Sequence, residues 1–137
     1  MKRFLAVLLL MICCYTAAFA ETASEPDLDL TVLSGHLLMN TLSEICSDPA
    51  DYAGWTVRVR GQYYSHASGE EIRHTLIVTD CGTYCSEIGI AMVAAEGAEI
   101  SWPENNQVME ITAVVEPFET SAGGQSVRLA VVSVLPC

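Results

Sequence analysis

The chain is 137 residues long and strongly acidic, with six lysines and arginines against seventeen carboxylates and a formal charge of −11. Its length suits one domain with one core. Its charge excludes nucleic acid, whose affinity comes from basic side chains neutralising phosphates, and disfavours an anionic membrane surface.

The first residues have the pattern of a secretory leader. Met1-Lys2-Arg3 is a positive start, Phe4–Cys14 is an apolar run of about eleven residues, and Ala18-Phe19-Ala20 is an Ala-x-Ala cleavage site. The run is shorter than the roughly twenty apolar residues a membrane-spanning helix needs, and no later segment approaches that length without a charge. The expectation is a signal peptide over 1–20 cut between Ala20 and Glu21. Acylation at Cys13 or Cys14 is the alternative, disfavoured because the residues before them, Ile12 and Cys13, are not small as a lipobox requires. The exported part then holds Arg58, Arg60, Arg73 and Arg128, no lysine and all seventeen carboxylates, for a net charge of −13. An extracytoplasmic location, secreted or periplasmic, follows.

Residues 21–33 open with an acidic stretch poor in large apolar groups and read as a flexible tether, leaving 34–137 as the domain. Ser34 is a candidate cap for a short helix whose face carries Leu37, Leu38, Thr41, Leu42, Ile45 and Cys46, and Asp48-Pro49 ends it. Gly54 turns the chain into a first strand, Thr56–Tyr64, where Val57, Val59 and Tyr63 alternate with Arg58, Arg60 and Gln62. Gly61 within it predicts a bulge or a sharp coil. Further strands are predicted at 74–80, 87–94, 108–116 and 125–135. Polar connections at 65–71, 96–106 and 121–124 separate them. Short strands at this spacing without alternating helices predict a mainly β fold, a small barrel or sandwich.

The stretch Asp48-Pro49-Ala50-Asp51-Tyr52-Ala53-Gly54-Trp55-Thr56-Val57-Arg58-Val59-Arg60-Gly61 resembles a lead-in motif common in OB-fold proteins, D/N-P-x-x-Y-x-G-K-x-V-x-x-x-G. With Leu28-Asp29-Leu30-Thr31 and Thr79–Ile90, it makes the chain similar to a group of small exported bacterial proteins with an OB-like barrel. It is more distantly similar to the extracytoplasmic OB-like domain of permease-associated subunits. The resemblance implies a five-stranded OB-like barrel with one short N-terminal helix, and it implies no activity. Trp55 stands where that motif has lysine, and Tyr84-Cys85 stands where the group has adjacent cysteines.

Four cysteines follow the leader: Cys46, Cys81, Cys85 and Cys137. An even number in a small exported domain points to disulfides, with three pairings possible. The preferred one joins Cys81 to Cys85 and Cys46 to Cys137. A soft-metal site of zinc type is the alternative, using Cys81 and Cys85, with His74, His66 or Asp80 completing it. A redox pair is disfavoured, because such motifs use C-x-x-C at a helix start.

Hydrolase signatures and phosphate-cradling glycine loops do not occur after the leader. The reading is therefore a non-catalytic binding or accessory module without a cofactor, its partner a protein or small ligand of the cell envelope. Its candidate face is Trp55, Arg58, Arg60, Gln62 and Tyr64 on and beside the first strand.

Overall fold

The computed structural model describes residues 24–137 apart from Thr83; the expected leader and its expected cleavage site lie outside the described residues. The elements in chain order are β1 (Leu28–Asp29), a 3-10 turn (Leu30–Val32), α1 (Gly35–Ser47), a second 3-10 turn (Pro49–Tyr52), and five long strands. These are β2 (Thr56–Ser68), β3 (Glu71–Cys81), β4 (Cys85–Ala94), β5 (Val108–Glu119) and β6 (Gln125–Pro136).

Five strands close on themselves in the order β2-β3-β4-β6-β5, with β5 pairing back onto β2. All neighbours in the barrel are antiparallel except β4 and β6, which run parallel. This is a five-stranded OB-like barrel, and it follows from period-two patterning. Val57, Val59 and Tyr63 of β2, Leu76 and Val78 of β3, and Ile90 and Met92 of β4 point inward. So do alternate residues of β5 from Met109 to Val115 and of β6 from Val127 to Val131. Each such valine, leucine, isoleucine or methionine removed from water contributes about 1.5–3 kcal/mol.

Gly61 occupies an inward position of that alternation without a side chain, for a steric reason. A Cβ at that position would lie 2.6 Å from the Ile77 carbonyl oxygen and 2.9 Å from Leu76 Cδ1. Strand β3 therefore approaches β2 at a distance only glycine permits, and the expected bulge is absent, since β2 pairs with β5 through Gly61 without a register shift.

All five expected strands form, and the first two run further than their hydrophobic pattern. Residues 65–71, expected as a loop, are mostly ladder: β2 pairs with β3 out to Ser68 opposite Glu71, and only Gly69-Glu70 turns. This hairpin end projects past the core, so its polar residues carry no inward pattern. It is held instead by backbone pairing and by Asn105, whose Oδ1 accepts from the Ser65 amide at 2.7 Å.

The helix also forms where expected, but its buried face is Met39, Leu42 and Ile45, flanked by Leu38 and Cys46. Leu37, expected in the core, is 60% exposed. Ser34 occupies the N-cap position without a side-chain capping bond.

The expected tether is structured from Leu28 onward. Leu28 and Asp29 add a parallel strand beside Val57 and Arg58. Asp29 then caps the 3-10 turn, accepting from the Thr31 amide at 3.0 Å and its hydroxyl at 2.6 Å. Leu30 is consequently 1% exposed and belongs to the core. Leu28-Asp29-Leu30 alternates in the manner of a strand but is too short to signal one by itself.

Candidate functional site

The outward residues of β2 include the candidate face, and most of its charge is already neutralised. Arg58 lies 3.4 Å from Asp29 and 3.7 Å from Glu110, and Arg60 lies 3.1 Å from Glu110. The pairing follows from register, which sets Arg60 opposite Glu110 and Arg58 beside Asp29. Glu110 and the terminal Cys137 raise the Arg60 guanidinium above its ordinary value. Asp29 is held below the usual carboxylate range, first by the Thr31 hydroxyl. Gln62 and Arg60 line an open groove of about 560 Å³ between β2, β3 and the Leu30–Leu33 segment. Tyr64 lies further along β2, 42% exposed. Trp55 is at the start of the strand, packed edge-on to Tyr52 with ring centres 5.2 Å apart. The five expected residues thus line one strand without converging on one site.

The cysteines occupy three environments. Cys81 and Cys85 are direct partners across the β3–β4 hairpin, both exposed, with Sγ atoms 2.8 Å apart. A disulfide measures about 2.05 Å, so the two are neighbouring thiols here. Cys46 packs against the core from α1, and its burial pushes the thiol up. Cys137 is exposed at the chain end, its amide donating to the Val108 carbonyl. All four are unbonded.

The expected alternative metal trio does not assemble. His74 is seven residues from Cys81 on the same strand, about 23 Å away at strand rise. Its Nδ1 is engaged by the Tyr63 hydroxyl at 2.6 Å. Among the described residues no group of three histidine, cysteine or carboxylate side chains is arranged to hold a metal ion. Nor is any helix among them long and apolar enough to cross a membrane.

His74 belongs to an aromatic stack at one end of the barrel. Its ring lies 4.1 Å from Trp102 at 13°, and Tyr63 lies 5.7 Å from the same indole at 18°. Trp102 arrives on the connection between β4 and β5. That connection is pinned by the Tyr63 amide donating to Gln107 and the Asn106 amide donating to Tyr63. Burial lowers the His74 imidazole below its ordinary value.

Beside this stack runs a second groove of about 560 Å³, and it gathers much of the molecule's scarce positive charge. His66 and Arg73, paired across β2 and β3, line it together with Arg128 and Phe118, while His74 and Met92 adjoin it from the barrel side, His74 bonded to Tyr63 and Met92 buried. Arg128 is held by Glu116 through two bonds of 3.1 and 3.2 Å and sits 5.5 Å from the Phe118 ring centre. Glu71 also lines the groove, so its formal charge is close to balanced on an otherwise strongly acidic molecule. The sequence contained these residues on five separate strands, and only pairing brings them together. The usable signal was compositional: two of the four arginines beyond residue 20, and two of the three histidines. No family model and no curated protein matches the chain.

Proposed function

We propose that this protein is an exported, non-catalytic binding module of the cell envelope that takes a small amphiphilic anion in the groove between His66, Arg73 and Phe118. The observation that carries the reading is the concentration of basic side chains in that one groove of an acidic domain. An anion is repelled over most of the surface and meets compensation here. Phe118 supplies apolar contact for the body of such a ligand, and the volume lies in the range of small-molecule sites. Arg73 is the principal anchor, since Arg128 is already engaged by Glu116. A binding role also fits His74, whose imidazole is stacked and hydrogen-bonded within the barrel end.

The leader pattern and the lysine-free acidic composition support export. The closed barrel supports kinship with the small exported OB-like proteins that the lead-in motif resembles. The test is amide-resolved NMR titration with phenylacetate and octanoate, and with their neutral amides as controls. The acids should shift residues 71–75 and 91–93, the amides should not, and Arg73→Gln should weaken binding about tenfold. Equal response to acid and amide, or no response at these residues, refutes the reading.

A further inference from the structure

The hairpin joining β3 to β4 carries chemistry that the groove does not use. Cys81 and Cys85 stand opposite each other where the ladder ends, separated by three residues, and both are open to solvent. Their sulfurs lie within reach of each other at 2.8 Å without a bond. Eight β3–β4 pairs, from His74 with Met92 to Cys81 with Cys85, fix that juxtaposition independently of any sulfur chemistry.

We propose that Cys81 and Cys85 form a thiol–disulfide exchange site whose co-reactant is a low-molecular-weight disulfide of the glutathione class. The proposal stands apart from the anion-binding groove. Two physical points separate it from a structural staple. A disulfide stabilises mainly by shrinking the unfolded ensemble, by an amount that grows with the loop it closes. This ring spans three intervening residues, so closing it stabilises less than a bond across a long loop would. The bond is also fully accessible, and accessible bonds exchange while buried ones resist.

The Cys85 contact and the Asp80 carboxylate hold the Cys81 proton above the ordinary thiol value. Either sulfur can attack first, because both are exposed and each faces the other. When Cys85 does so, its thiolate displaces one thiolate from the incoming disulfide and forms a mixed disulfide. Cys81 then loses its proton, attacks the Cys85 sulfur and expels the second thiolate. The protein gives up two electrons and two protons, and one small disulfide becomes two small thiols.

Equilibration across a ladder of reduced to oxidised glutathione, followed by maleimide trapping and peptide mass spectrometry, tests this. The Cys81–Cys85 peptide should pass from two trapped thiols to none within the ladder, while the circular dichroism of the barrel stays unchanged. In Cys81→Ser the glutathione adduct at Cys85 should become the principal oxidised species, because no partner remains to expel it. In Cys85→Ser the adduct should accumulate at Cys81 for the same reason. Three results overturn the proposal. One is a bond that survives reduced glutathione alone, and another is a pair that stays reduced in oxidised glutathione alone. The third is protection of both thiols from maleimide by one equivalent of zinc chloride, which assigns the pair to a metal instead.

Discussion

Replacing Gly61 by alanine tests the close approach of β3 to β2. The added Cβ would sit 2.6 Å from the Ile77 carbonyl oxygen and 2.9 Å from Leu76 Cδ1. The leucine tip can rotate away, but the carbonyl is backbone and belongs to β3, so the two strands must part. Tyr63 and Leu76, which pair just beyond that approach, are 3% and 0% exposed and lie in the path of that movement. Overpacking of this kind costs typically 1–3 kcal/mol, and the backbone contact puts Gly61→Ala toward the upper end, about 2–3 kcal/mol. Gly89→Ala is the matched control, because its Cβ meets only Thr75 Cγ2 at 3.5 Å, an ordinary contact. Glycine within a strand is entropically costly, so that change should be neutral or stabilising by about 0.4–1 kcal/mol. Urea denaturation followed by tryptophan fluorescence measures both variants, with the midpoint falling for Gly61→Ala at constant slope. Equal stability of the two variants would refute the claim that β3 approaches β2 at a glycine-only distance.

Other consequences are checked by stability and pH. Leu30→Ala should destabilise by about 2–5 kcal/mol in the same denaturation assay, as for any buried leucine, whereas a residue of a free tether changes nothing. The His74 imidazole has a folded value below its unfolded value of about 6.5, so the unfolded chain binds the proton more readily. Its contribution to stability is therefore present above pH 6.5 and is lost as pH falls from there through the lower folded value. Thermal midpoints measured from pH 7.5 to 5.5 should drop, and His74→Gln should flatten that slope. Glu116→Gln should cost no more than about 1 kcal/mol, since both partners of the Arg128 pair are substantially exposed. A larger loss of thermal stability in that variant contradicts the surface placement of the pair.

Much of the barrel is written locally. The alternation Val57-Arg58-Val59-Arg60 states which face of β2 is wet, and Pro49 and Gly54 mark the turn before it. The same period-two signal predicted β3 to β6 to within a few residues, because each inward side chain sits in one continuous core. Where strands project past that core, as at Ser65–Ser68, the signal ends although the backbone ladder continues. The helix was legible for the same reason as the strands. Its exact rotation, with Met39 inside and Leu37 outside, depended on the surface it packs against.

The candidate site was much less legible, since its parts meet only through pairing. Sequence alone singled out Arg58 and Arg60 as outward cations, and it singled out Cys81 and Cys85 as a close pair. Tertiary structure decided what those groups face. It set Arg60 against Glu110, fifty residues away, and left the two sulfurs side by side at an open hairpin end. It also assembled Tyr63, His74 and Trp102 into one stack, and Arg73, Arg128 and Phe118 around one groove. Side-chain periodicity is a property of a single strand and can be read along the chain. Register between strands is a property of the closed barrel, and no local pattern carries it.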